Sequence, residues 1–195
     1  MRITNLTADT RIDTVIDFDF LLSQSDNVFQ FTRINKNFNA IKMKCVHGSL
    51  LIYENGKIVC VGAKSRRNAY MTLRNLCEIL KCKRIPRLKF TNFCASTDGA
   101  AAVDLYKLIP ILVCDTSVKS VQWEPEIFPA ATCLLKTLPS KVNVFVSGKL
   151  TSTGNKSEVQ AFNSLLTITK IIHQVCDVII DCVHYKLFTV PMVSC

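Results

Sequence analysis

Glycine and proline are scarce in this chain, six of each in 195 residues, and nothing in it is rich enough in glycine, serine or proline to read as a linker. With hydrophobic residues at 49%, the scarcity excludes a disordered chain and leaves a compact globular protein. Long hydrophobic runs are also missing. Charge or histidine interrupts each one before the ~18 residues of a spanning helix, and the start, "MRITNLTADTRIDT", is too polar for a secretion signal. A soluble intracellular protein is expected. No Cys-x-x-Cys occurs among the ten cysteines, which sit singly inside apolar segments, so small, reduced core residues are expected rather than disulfides. The sharpest metal candidate is Cys176, Cys182 and His184, whose spacing matches no common finger or ribbon. No metal or other cofactor is expected. The three histidines, His47, His173 and His184, neighbour no evident nucleophile and acid partner, so an enzyme is not expected either.

Acidic residues are the scarcer charge, 15 against 24 Lys and Arg, and the imbalance is local. Residues 33–89 hold 14 Lys and Arg against 2 Asp and Glu, a net of +12, whereas 1–32 sum to −3 and 90–195 to zero. A solvated helix face and a polar hairpin would account for that excess. So would an electrostatic footprint for phosphates or for an acidic protein partner.

Within the basic segment stands "ENGKIVCVGAK", residues 54–64. It is not a Walker loop, because five residues separate the glycines where that loop has four, and Ala63 intervenes between Gly62 and Lys64. Asn55-Gly56 is instead the dipeptide favoured by a two-residue type I′ hairpin, flanked by Leu50, Leu51, Ile52 and Tyr53 before it and Ile58, Val59, Cys60 and Val61 after it. Ser65 is placed to cap a following helix. Strand alternation puts Leu50, Ile52, Ile58 and Cys60 on one face and Leu51, Tyr53, Val59 and Val61 on the other. Both faces are therefore apolar, as in a two-sided core strand or in a sheet that binds something flat.

The stretch occurs twice. "FVSGKLTSTGNKSEVQAF" aligns with it so that Gly56, Lys57, Gly62, Lys64 and Ser65 fall on Gly148, Lys149, Gly154, Lys156 and Ser157, each displaced by 92. The same displacement carries Leu73, Leu76 and Leu80 to Leu165, Ile168 and Ile172, at helical spacing. Phe38 matches Phe128 at a displacement of 90, and "ITNLTA" around Asn5 matches "FTNFCA" around Asn92 at 87. Each copy reads strand, helix, strand, strand, strand, long helix. The copies cover residues 1–87 and 88–175, and two units of this length suit a duplicated α+β half in one structural domain. Residues 176–195 form an apolar extension of unassigned role, a further strand or a partner-binding tail.

These elements, above all "NGKIVCVGAKS", "WEPEIFP" and "FVSGKLTSTG", resemble the TATA-box-binding protein family over residues 2 to about 175. The resemblance implies an α+β fold, a pseudo-twofold duplicated saddle with a curved antiparallel sheet and helices on its convex face. It implies double-stranded promoter DNA as ligand, bound in the minor groove at A/T-rich sequence and bent by inserted side chains, a known property of that family. The inserting positions are Phe38, Tyr53, Phe128 and Phe145, with Tyr53 a departure from phenylalanine whose hydroxyl must find a partner in the stack. Asn5 and Asn92 match the central amide donors, and Leu51, Val59, Val61 and Thr153 match groove-lining residues. Asn143 and Thr151 stand where the pattern has aliphatics, and Thr7 and Cys94 where it has valines.

Phosphate contacts are carried over to Lys44, Lys57, Lys64, Lys149 and Lys156, while Leu134 replaces an arginine. Glu124, Glu126 and Ile127 match the acidic surface offered to transcription factor IIB. Arg66, Arg67 and Arg74 lie on the basic helix that meets acidic partners such as factor IIA. Partners in the RNA polymerase machinery and no membrane are expected, with a nuclear location, or a cytoplasmic viral factory for a virus-encoded chain. The alternative is a relative that has lost DNA bending and acts as a protein–protein adaptor. Tyr53, Asn143, Thr151 and Leu134 point that way.

Overall fold

The computed structural model describes the backbone of residues 1–35, 38–99 and 101–187, and the side chains of 1–34, 39–99 and 101–174. In chain order the elements are β1 (Arg2–Arg11), α1 (Phe18–Ser23), β2 (Gln30–Asn35), β3 (Phe38–Cys45), β4 (Gly48–Tyr53), β5 (Lys57–Ala63) and α2 (Arg66–Ile79). Then come β6 (Lys89–Thr97), α3 (Leu105–Cys114), β7 (Val118–Gln122), β8 (Ala130–Leu135), β9 (Lys141–Phe145), β10 (Leu150–Asn155) and α4 (Glu158–Leu187). Each copy therefore has four strands between its helices, not three. The strands missed are β2 and β7, which pair on one side only, with β3 and β8. Such edge strands bury little, so their hydrophobic alternation is weak: in β7 only Val118 is buried.

The chain divides into two compact units, Met1–Ser96 with Thr153–Ala161, and Thr97–Ser152 with Phe162–Cys195. In the first, the strand order is β2-β3-β4-β5-β1-β6, antiparallel throughout. Leu6, Ile41, Met43, Leu50, Ile52, Ile58 and Cys60 are fully buried on one face of this sheet. α2 packs on β4 and β5, burying Ala69, Leu73 and Leu76 completely. Burying one such leucine contributes about 1.5–3 kcal/mol. Ser65 caps α2, its Oγ accepting from the Asn68 N–H at 3.1 Å. Burial also pushes the Cys60 thiol up to about 12, so it stays a neutral core residue.

In the second unit the order is β9-β8-β7, again antiparallel, with α3 against β7 and β8. Leu105, Leu108 and Leu112 of α3, Cys133, Val142 and Val144 of the strands, and Leu165 and Ile168 of α4 are all buried. The seven cysteines among the described side chains are free thiols. The α4 backbone stays helical to Leu187, where a further strand was one expectation. The side chains of Cys176, Cys182 and His184 lie outside the described residues. Among those described, no helix is long and apolar enough to cross a membrane.

The hairpin of β4 and β5 forms, but its turn is not type I′. Lys81 is the one non-glycine residue with positive φ among those described, so Asn55 does not adopt the left-handed conformation, while Gly56 does (φ 80°). Ile52 pairs with Ile58, the Gly56 N–H donates to the Tyr53 carbonyl at 3.0 Å, and Asn55 Oδ1 accepts from the Lys57 N–H at 3.1 Å. This is a three-residue loop with glycine in the left-handed position. The second copy repeats it, with the Gly148 N–H donating to the Phe145 carbonyl at 2.8 Å.

Candidate nucleic-acid interface

In the first unit one sheet face carries α2 and the other is left half-open. Leu51, Tyr53, Val59 and Val61 are half-buried, alternating with the fully buried Leu50, Ile52, Ile58 and Cys60. Leu51 stands directly opposite Val59 in the ladder, so the two make one apolar patch of neighbouring side chains. Tyr53, at the end of β4, faces Ala40 across the β3–β4 pair, with the Lys57 ammonium 5.7 Å from its ring centroid. Phe38 opens β3, two residues before Ala40, and its side chain lies outside the described residues.

Further along this sheet, Asn5 on β1 and Asn92 on β6 are held by the same device. The Gly62 N–H donates to Asn5 Oδ1 at 2.8 Å, and the Gly154 N–H donates to Asn92 Oδ1 at 2.9 Å. Both glycines have positive φ, 79° and 81°, a conformation that turns the N–H out of the ladder and that glycine adopts at least cost. Because a backbone N–H can only donate, each amide oxygen faces its glycine and each Nδ2 group points elsewhere. Asn92 Nδ2 donates to Cys94 Sγ at 3.5 Å. Burial raises the Cys94 thiol pKa, partly offset by hydrogen bonds from Asn92 and Asn5. The sequence offered one signal for this arrangement, since the copying that relates Asn5 to Asn92 also relates Gly62 to Gly154. Thr153, beside Gly154, is half-buried.

The second unit brings Phe128 and Phe145 together, with ring centroids 6.0 Å apart, edge to face. Phe128 is 40% exposed. The Thr132 hydroxyl donates to Asn143 Oδ1 at 3.0 Å, and Leu134 is half-buried between the buried Cys133 and Leu135. Thr151 is half-buried on β10.

Lys44, Lys57, Lys64, Lys149 and Lys156 are all exposed. Lys156 Nζ donates to the Thr91 carbonyl at 3.3 Å. Arg66, Arg67 and Arg74 are exposed on α2. The Arg66 guanidinium lies 4.4 Å from the Phe90 centroid and 3.7 Å from the Glu158 carboxylate, contacts the sequence did not reveal. Arg74 pairs with Glu78 at 2.8 Å. Glu124, Glu126 and Ile127 sit in the exposed turn between β7 and β8, where the Ile127 and Phe128 N–H groups both donate to the Glu124 carbonyl.

Comparison with known proteins gives these positions a family. The family described as transcription factor TFIID, or TATA-binding protein, matches residues 1–83 and again 87–175. The TATA-box-binding protein of Methanopyrus kandleri is 31% identical over 131 residues, 64% of this chain and 71% of that protein. That of Methanocaldococcus jannaschii is 28% identical over 184 residues, 90% and 94% of the two chains. The solved structure of Methanococcus jannaschii TBP superposes with a TM-score of 0.72 at 26% identity, over 89% of this chain and 98% of that one, so the α+β antiparallel-sheet fold is shared. With both copies of the duplication matched, the chain belongs to the TATA-binding protein family of transcription factors.

Proposed function

We propose that this chain is a non-enzymatic transcription initiation factor that binds A/T-rich promoter DNA in the minor groove, bends it, and recruits factor IIB-like and IIA-like proteins at the sites where promoters are transcribed. The observation that carries this reading is the pairing of a half-open apolar face, Leu51, Val59 and Val61, with two asparagines whose oxygens are held by glycine N–H groups. The apolar strip suits the sugar edges of the groove. The amide N–H groups left over suit A·T pairs, which present only N3 and O2 acceptors there.

Phe128 and Phe145 supply apolar wedges in the second copy; Phe38 and Tyr53 hold the matching positions in the first. Unstacking a base step costs a few kcal/mol, offset by the contacts a bent duplex makes. The five exposed lysines neutralise backbone phosphates. Glu124, Glu126 and Ile127 serve a factor IIB-like partner, and the α2 arginines an acidic one.

A TATA duplex labelled at both ends tests the function by energy transfer. The parent protein is expected to shorten the end-to-end distance at saturation, and Phe128→Ala with Phe145→Ala is expected to weaken binding at least tenfold and reduce the bend. A saturated complex with straight DNA would sink the bending step. The Thr132–Asn143 hydrogen bond makes part of the second unit's face polar and favours the adaptor reading, which predicts factor IIB-like binding without any response to promoter DNA.

A further inference from the structure

The open face of β1 and β6 carries more polar chemistry than two asparagines. Asn5 and Thr7 leave β1 on the side opposite the fully buried Leu6 and Ala8. Asn92 and Cys94 leave β6 on the side opposite the buried Phe93 and Ala95. The register sets Asn5 beside Cys94 and Thr7 beside Asn92, so the four side chains form one patch on one face.

Their hydrogen-bonding roles differ. Both asparagine oxygens accept from glycine N–H groups, which fixes the orientation of each amide and so the place of its Nδ2 donor. Thr7 Oγ1 and Cys94 Sγ add two further acceptors to the patch, where aliphatic side chains would supply none. Cys94 accepts from Asn92 at 3.5 Å and hydrogen-bonds Asn5 as well, sulfur bonds weak enough to exchange for a better one.

In the minor groove an A·T pair displays acceptors only, and a G·C pair adds the guanine 2-amino group, a donor. A reader built from amide donors and aliphatic carbons gives that amine neither an acceptor nor room. This patch supplies both. Threonine has the shape of valine with a hydroxyl in place of one methyl. Cysteine carries a single γ atom where valine carries two, which vacates about the volume of a methyl group.

We infer that Thr7 and Cys94 are specificity-determining residues that admit a G·C pair at the centre of the minor-groove site, the guanine amine donating to Thr7 Oγ1 or Cys94 Sγ. The inference rests on the DNA-binding function proposed above.

Three duplexes that differ only in their two central pairs, A·T, G·C or inosine·C, test it by competition binding. Inosine lacks the 2-amino group, so the G·C to inosine·C affinity ratio within one protein isolates the amine from all other effects. The parent is expected to bind G·C within about threefold of inosine·C. Thr7→Val with Cys94→Val is expected to lose G·C by about tenfold or more against inosine·C, the order of one mismatched pair. Because each ratio is internal to one protein, a loss of packing in the variant does not imitate the result. Equal ratios in the two proteins overturn the inference, as does a parent that binds A·T and inosine·C yet rejects G·C. A parent that binds none of the three duplexes overturns the DNA-binding function itself, and this inference with it.

Discussion

Glycine is used at two kinds of position in this chain, and substitution separates them. At Gly62 the conformation is left-handed (φ 79°) and no atom lies within 4 Å of where a Cβ would stand, so Gly62→Ala is expected to cost only the backbone penalty, about 1–2 kcal/mol. At Gly56 the conformation is again left-handed (φ 80°), but a Cβ would overlap the Ile12 carbonyl, so Gly56→Ala is expected to cost more than Gly62→Ala. Urea unfolding of the two variants checks the order; equal losses would mean that the turn tip moves freely. Asn55-Gly56 announced a hairpin in the sequence. It did not reveal the turn type, because two- and three-residue loops both place glycine at positive φ and differ in whether its neighbour follows. The Ile52–Ile58 register settled that. Asn5 and Asn92 were equally legible as a pair, whereas the bonds that orient them join residues 57 and 62 positions apart, a distance over which sequence pattern carries no information.

If the α2 arginines serve the acidic partner proposed above, that helix sets stability against recognition. Its first turn holds no acidic residue and begins Arg66-Arg67, although the positive end of a helix dipole favours acids there. Arg66 is compensated by Glu158 and by the faces of Phe90 and Phe93. Arg67 makes no ion pair among the described residues. Arg67→Glu is therefore expected to stabilise the protein by about 0.3–1 kcal/mol while weakening a factor IIA-like acidic partner. Thermal unfolding and a pull-down on the same variant check both signs, and destabilisation would show that Arg67 serves packing. The helix itself was plain in the sequence, through Ser65 and the Leu73–Leu76 stripe. The edge strands β2 and β7 were not, since an element that packs on one side leaves half the usual pattern.

For the molecule as a whole, the number of phosphates its basic residues neutralise governs how DNA binding would respond to salt. If Lys44, Lys57, Lys64, Lys149 and Lys156 each neutralise one phosphate, log K should fall against log salt with a slope of about −4 to −5. A titration from low to high salt measures it. A slope near zero would remove the phosphates from the interface, and a markedly steeper one would bring further basic residues into it. The uneven charge, the duplication, the capped α2 and the alternating faces of β4 and β5 were determined by the sequence alone, because each is a local or periodic property of neighbouring residues. Tertiary structure alone decided that the face of Leu51, Val59 and Val61 stays half-open, that Gly62 and Gly154 hold the two asparagine oxygens, and that Thr7 and Cys94 join those asparagines in one patch. Those outcomes depend on which strands pair and in what register, and registers are chosen by the burial of the whole core rather than by any one segment.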